Sequence, residues 1–156
     1  MILKRAHFAV ALAIGCVASA GVAQDYDLDP NFGSTSLKAG FTPDPHTVRV
    51  QAGGSRDAQN ASGECSGYIS NAPDYRVQYD SGSFPLIISV DADSDTTLVV
   101  NAPDGSWYCD DDGGEGLNPM VRMANPQSGQ YDIWVGTYAD SGLTSATLYI
   151  SEVSSQ

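Results

Sequence analysis

The sequence predicts an all-β domain, a β-sandwich or jelly roll of about eight antiparallel strands with one disulfide. Three observations carry this reading. Short runs of alternating apolar and polar residues recur along 47–153, each bounded by Gly, Pro, Asn or Asp. No window shows the 3.6-residue apolar repeat with capping residues that a helix requires. Once an export segment is set aside, two cysteines remain, Cys65 and Cys109. In an oxidising compartment their default is a single bridge, worth about 4 kcal/mol in the chain-entropy model.

Residues 1–23 have the layout of a signal peptide. Lys4 and Arg5 precede a short apolar run over 6–17, and Gly21-Val22-Ala23 supplies a cleavage site, with Ala18-Ser19-Ala20 as the alternative. A membrane-spanning helix would need about 20 apolar residues, and no later stretch reaches that length. Cys16 follows Ala13-Ile14-Gly15, but a lipoprotein site would want a large aliphatic residue at Ala13. Simple cleavage near Ala23 and a secreted or periplasmic location are therefore expected.

Residues 24–46 read as a flexible acidic arm, with Asp25, Asp27 and Asp29 alternating, followed by a first edge segment; the domain proper is 47–156. Thr47-Val48-Arg49-Val50-Gln51 alternates and stops at Gly53-Gly54, and the small residues of 55–63 read as an exposed loop. Residues 74–79 alternate again. Leu86-Ile87-Ile88-Ser89-Val90 is continuously apolar, as a strand covered on both faces would be. Strand 96–101 leads through the turn Ala102-Pro103-Asp104-Gly105 to Trp107-Tyr108-Cys109, with the aromatics packed around the disulfide. A short strand follows at 120–123. Then Tyr131, Ile133 and Val135 share one face, with Asp132 and Trp134 on the other. In the last strand Ala146, Leu148 and Ile150 face one way.

The chain is strongly acidic. Removing Lys4 and Arg5 leaves 5 of the 7 basic residues against all 19 acidic ones, so the formal charge moves from -12 to -14. Such a surface repels nucleic acid and anionic membranes, which are bound through basic patches. The carboxylates concentrate in Asp91-Ala92-Asp93-Ser94-Asp95 and in Asp110-Asp111-Asp112-Gly113-Gly114-Glu115. Carboxylates this close must be solvated or neutralised, and hard oxygen ligands beside glycines suit Ca²⁺. Asp91, Asp93, Asp95, Asp110, Asp111, Asp112 and Glu115 are the candidate ligands, with Asp25, Asp27 and Asp29 as further contributors. The alternative is that they are solvated turn residues. An EF-hand is excluded, because its helices, sixth-position glycine and bidentate glutamate are absent.

From about residue 47 to 153 the pattern resembles the bacterial pre-peptidase C-terminal domain. The resemblance rests on Asp93-Ser94-Asp95-Thr96-Thr97-Leu98-Val99-Val100, on Asn101-Ala102-Pro103-Asp104-Gly105-Ser106, on Asp110 to Asp112, and on Asn125-Pro126-Gln127-Ser128-Gly129-Gln130-Tyr131. It departs at Thr97, where an acidic residue is more usual, and in its two cysteines. The resemblance implies a calcium-influenced β-sandwich jelly roll that accompanies secreted peptidases and includes collagen-binding modules.

Catalysis is not expected. Asp140-Ser141-Gly142 resembles a serine-peptidase nucleophile, yet the same tripeptide recurs as Asp80-Ser81-Gly82. A triad needs an oriented base, and His46 is the one histidine after residue 23; the same shortage argues against zinc. The expected function is a non-catalytic binding module for an extracellular protein or polysaccharide, with Trp134, Tyr138 and Asp132 as candidate ligand-binding residues. For Trp134 the competing reading is a core residue, and it is the favoured one because large aromatics are more often packed than displayed. The alternatives are a peptidase-associated accessory or chaperone-like domain, and, least favoured, a small secreted hydrolase.

Overall fold

The computed structural model describes residues 25–156, so the signal peptide assigned to 1–23 lies outside the described residues. Among these described residues eleven strands form two sheets. In chain order they are β1 (Ser34–Lys38), β2 (His46–Ala52), β3 (Arg56–Asp57), β4 (Tyr68–Ile69), β5 (Tyr75–Asp80) and β6 (Leu86–Ala92). There follow β7 (Thr96–Asn101), β8 (Trp107–Asp110), β9 (Met120–Met123), β10 (Gly129–Thr137) and β11 (Thr144–Ser151). Sheet A runs β1-β5-β10-β4-β3, with β7 along the other side of β10 and β8 beyond it; sheet B runs β2-β11-β6-β9. Among the described residues no helix is long and apolar enough to cross a membrane.

All eight segments read from alternation are strands. The three additions are β1, β3 and β4. The edge segment expected within 24–46 is β1, and it pairs with β5 in parallel, unlike the other pairings. The arm before it is fastened rather than free: Asn31 and Phe32 donate backbone hydrogen bonds to the carbonyls of Pro73 and Asp74, at 2.8 Å each.

The main core lies between the sheets. Tyr75, Val77, Leu98, Val100, Tyr131, Ile133 and Val135 face inward from sheet A against Val50, Leu86, Ile88, Val90, Leu148 and Ile150 of sheet B. Period-two alternation puts the other residues of sheet A outside, and there a second, smaller core forms. Ala58, Cys65 and Ile69 close over Val99 and Trp134, with Trp107 and Cys109 at the margin. The stretch 55–63 is thus a roof and not a free loop. Asp57 caps a 3-10 turn at Ala58–Asn60 by accepting from the Gln59 amide at 2.9 Å, and Ala58 is fully buried. The Cys65–Cys109 disulfide, with its Cα atoms 5.2 Å apart, ties this roof to β8. The roof sits so low that Gly136 has no room for a side chain. A Cβ there would lie 2.3 Å from Thr97 Oγ1 and 2.8 Å from the Tyr68 carbonyl.

Strand β10 outruns its neighbour. Its pairing with β5 ends at Ile133↔Tyr75, and the next outward-pointing amide on that side, Val135 N–H, needs another acceptor. Asp74 supplies it: Oδ2 accepts from Val135 at 2.8 Å, while Oδ1 accepts from Asn31 Nδ2 and Ser70 Oγ, both at 3.1 Å. The Val135 carbonyl in turn accepts from Gly53 N–H at 2.9 Å. Burial of Asp74 outweighs these bonds and pushes its carboxyl up from 3.8 to about 6.

Two outcomes follow from this packing. Replacing both Cys65 and Cys109 with alanine should lower the unfolding free energy by about 4 kcal/mol and red-shift tryptophan emission as the roof over Trp134 loosens. Urea titration followed by fluorescence reads both, and an unchanged midpoint would show that the roof closes without the bridge. For Asp74 the folded pKa is raised, so its contribution is fully present below the unfolded value near pH 4 and lost as pH rises through about 6. A rise of about two units corresponds to about 3 kcal/mol. The stability difference between the wild type and Asp74→Asn should therefore move against the wild type between pH 4 and 6. A difference independent of pH would mean that Asp74 is already ionised in that range.

Candidate functional site

The seven candidate metal ligands do not gather at one point. Asp91 and Asp93 are exposed on the sheet B side, in an open depression of about 400 Å³ shared with Arg49 and Phe32. The pairing of β11 explains this, because Thr147 stands opposite both Arg49 and Asp91 and puts them in one outward row. Asp110 serves its own loop: Oδ2 accepts from the backbone amides of Gly113 at 2.7 Å and Met120 at 2.8 Å. Glu115 is exposed, and its carbonyl accepts from Asn118 N–H at 3.2 Å.

Asp95, Asp111 and Asp112 do sense one another. Asp95 opens β7, and its Oδ1 is buried without a hydrogen-bond partner. Its carboxyl is held above the ordinary range, first by desolvation and then by the charges of Asp112 and Asp111. Asp111 Oδ2 accepts from Ser66 Oγ at 3.4 Å, next to the disulfide. Asn118 holds the two loops together, since its Oδ1 accepts from Ala92 N–H at 3.1 Å and from Thr96 Oγ1 at 3.4 Å. Among the described residues no three His, Cys, Asp or Glu side chains converge closely enough to hold a metal ion as they stand. The arm carboxylates Asp25, Asp27 and Asp29 are exposed, and Asp25 N–H donates to the Asn71 carbonyl at 3.3 Å.

Two of the three candidate ligand-binding residues are not displayed. Trp134 is fully buried under the roof formed by 58–69, so it presents no face to a ligand. Alternation placed it correctly on the side opposite Tyr131, Ile133 and Val135, but that side is itself covered. Asp132 is only 2% exposed and its carboxylate is engaged on both oxygens. Tyr138 is exposed, at the rim of the β10–β11 loop, where its amide donates to the Asp95 carbonyl at 3.2 Å. Below this loop lies a shallow cleft of about 280 Å³ lined by Asp95, Thr137, Asp140 and Leu143. Of the aromatics beside Cys109, Trp107 packs over the disulfide, whereas Tyr108 points the other way and stays exposed.

Among the described residues no serine-peptidase pairing forms. His46 opens β2, pairs with Ile150, and gives its ring to Tyr75, with Nε2 3.0 Å from the phenol oxygen. Ser141 precedes Thr144, which pairs with Ala52 at the opposite end of the same ladder. Six residues of strand separate those ends by about 20 Å. Burial also lowers the His46 pKa. In the 140–142 turn Asp140 Oδ1 accepts from Gly142 N–H at 2.7 Å, which is turn chemistry.

A different site emerges on the outer face of sheet A. One cross-strand row carries Ser34, Arg76, Asp132, Asn101 and Trp107 on β1, β5, β10, β7 and β8. Arg76 Nε donates to Asp132 Oδ1 at 2.6 Å, and Gln130 Nε2 donates to Asp132 Oδ2 at 2.7 Å. Gln78 Nε2 continues the chain by donating to Gln130 Oε1 at 3.1 Å. At the other end, Arg76 Nη2 donates to the carbonyls of Tyr26 and Leu28, which pins the arm over the sheet. Between Tyr26 and Trp107 lies a cleft of about 670 Å³, floored by Asn101, Gln130 and Asp132 and bounded by Pro103 and Ser128. Asp132 was visible in the sequence as an outward residue. Arg76 and Asn101 sit in recognisable strands too, but only strand register brings them into one row with it. Tyr26, in the arm, left no signal.

No protein-family model matches the chain, and no curated protein matches it. Among solved structures it is similar to the pre-peptidase C-terminal domain of a collagenase from Bacillus anthracis, with 14% identity and a TM-score of 0.45, over 75% of this chain and 93% of that one. It is also similar to PliG of Aeromonas hydrophila, a periplasmic inhibitor of g-type lysozyme, with 15% identity and a TM-score of 0.39, over 76% of this chain and 96% of that one. Both are likenesses of fold, and the resemblance read over 47–153 is to the family of the first.

Proposed function

We propose that this chain is an exported, non-catalytic binding module that receives an extracellular ligand in the sheet A cleft. The observation that carries the reading is the cleft itself. In its floor Gln130 and Asp132 are held in a hydrogen-bonded chain with Gln78 and Arg76, beside Asn101, and its two ends carry the aromatics Tyr26 and Trp107. Sites with pre-set polar groups and partly exposed aromatics bind without a large ordering cost. The disulfide supports export, because such bridges persist in oxidising compartments.

A second reading concerns the acidic end. The unpartnered Asp95 Oδ1 favours Ca²⁺ uptake there, with Asp111 and Asp112 as the carboxylates whose charges already raise its pKa. A Ca²⁺ ion takes six to eight oxygens, so backbone carbonyls and water would complete the shell after the loops close by a small shift. The ion would cancel the mutual repulsion and fasten the two loops.

Oxidised protein immobilised on a support should retain a protein or polysaccharide component of the exported fraction, recovered at unchanged length. Asn101→Trp, which fills the cleft floor, should abolish retention. Retention that survives this substitution, or recovery of a cleaved ligand, would overturn the reading. For the acidic end, the thermal midpoint should rise saturably with Ca²⁺ over EDTA and not with Mg²⁺, by several degrees at about 100-fold excess over Kd. In EDTA, Asp95→Asn should raise the midpoint by relieving repulsion, and it should remove the Ca²⁺ response. A midpoint indifferent to millimolar Ca²⁺ would leave these carboxylates as solvated turn residues.

A further inference from the structure

The chemistry of the sheet A cleft selects among ligand classes. The cleft opens over the outer face of sheet A, with β8, the terminal strand of that sheet, at its far end, and the polar groups of its floor are side chains. From the Arg76 position on β5 to Trp107 on β8 is three strand spacings, about 14 Å. Tyr26 is held at the β5 end by its own carbonyl bond to Arg76, and Trp107 stands at the β8 end. Tyr26 is 49% exposed. The Trp107 ring packs at an inclination of 40° against Trp134, with centroids 5.5 Å apart, and stays partly exposed in the cleft. Between them lie the amides of Asn101 and Gln130, both half-buried, and the hydroxyl of Ser128 at the rim.

The charge around the floor is already balanced. Arg76 is the cation of the row, and it is consumed by Asp132 and two carbonyls. Among the described residues no free positive group lines the floor to receive a carboxylate or a sulfate, and residues 25–156 carry a formal charge of -14 (5 basic against 19 acidic). Such a field repels polyanions. Aromatic platforms at both ends, planar amides between them and no available cation fit a ligand with apolar ring faces, many hydroxyls and no charge.

We infer that the cleft takes a neutral oligosaccharide, with Tyr26 and Trp107 stacking on sugar rings and Asn101 and Gln130 exchanging hydrogen bonds with hydroxyls. The inference rests on the reading of the cleft as the binding surface and names its ligand class. The 14 Å span suits a short run of linked rings, so affinity should rise with chain length and then level off. Arg76 acts through Tyr26 and is a positioning residue.

The test is titration of oxidised protein with neutral hexasaccharides of glucose and of N-acetylglucosamine, in β-1,4 and α-1,4 linkage, against polygalacturonate and gelatin peptides. Calorimetry and tryptophan emission are the readouts. At least one neutral series should bind and perturb emission, and affinity should fall about tenfold in Tyr26→Ala, the loss expected for one stacked ring. Trp107→Ala should lose both binding and the emission change. Because that substitution could loosen the roof, Asn101→Ala provides an independent loss of affinity without touching the second core. Gelatin bound through the same residues, with no neutral sugar bound, would overturn the glycan assignment and leave the binding-module reading intact. No ligand bound by the cleft at all would overturn both. Sugar binding indifferent to Tyr26→Ala and Asn101→Ala would place it elsewhere and also overturn the inference.

Discussion

The ion pair between Arg76 and Asp132 organises the outer half of this molecule. Their side chains are 16% and 3% exposed, so both charges have been taken out of water. That desolvation is costly, and it is repaid only where every remaining donor and acceptor is satisfied. Here it is. The second oxygen of Asp132 accepts from Gln130, and the outer nitrogen of Arg76 reaches two carbonyls of the arm. Removing one partner would strand the other charge, an effect of about 3–5 kcal/mol in buried pairs. In a segment with five basic residues against nineteen acidic ones, placing one of the five in the sheet face is a large commitment. It fixes the arm, the floor of the cleft and the position of Tyr26 together.

The same face has to solve a second problem a few residues further along β10. Trp134 and Val99 point outward from sheet A, and left open they would present an apolar patch to water. The chain covers them with 56–69, a stretch too short and too rich in small residues to hold itself down. Two devices hold it: the bridge from Cys65 to Cys109, and the absence of a side chain at Gly136, which lets the roof approach. Asp74 then satisfies the β10 amide that β5 no longer reaches. A carboxylate in that position is an imperfect answer, since burial raises its pKa to about 6. The face of sheet A is therefore divided. One part is roofed and apolar, the other is open and polar, and Trp107 stands at the boundary between them.

This division explains what could be read from the sequence and what could not. Alternation is a local signal, so β2 and β5 to β11 were legible from the side chains that must enter the core. Strands β3 and β4 have two residues each, too few to carry a period, and β1 is a Ser-Thr-Ser-Leu-Lys segment whose strand state comes from pairing with β5. Alternation puts Trp134 on the outer side, but whether that side faces water depends on a roof that lies 65 to 78 residues earlier in the chain. For Asp132 the difficulty is the same, since its partner Arg76 is distant in sequence and adjacent only through register. Among the acidic residues, composition identified the clusters, yet their separation into three groups follows from the β11 ladder, the Asp110 loop and the Asn118 tie.

The two features left over from folding differ in physical character, and this bears on what each can do. The acidic end is a site of uncompensated repulsion. Its Asp95 oxygen lacks a partner, and its carboxyl is already shifted toward the neutral form by burial and by its neighbours. A group in that state gains from any cation and from protonation, which suits a stabilising role that responds to the medium. The sheet A row is the reverse. Every charge in it is balanced and every long side chain is already held, so a ligand entering there meets a surface that has little freedom left to lose. Discrimination between hydroxyl-bearing ligands requires such fixed donors and acceptors, because a polar group free to re-bond with water rewards no ligand in particular. Stability can be adjusted at the end of the sandwich without disturbing the row that would recognise a ligand, since no hydrogen bond joins Asp95, Asp111 or Asp112 to the Gln78–Gln130–Asp132–Arg76 chain.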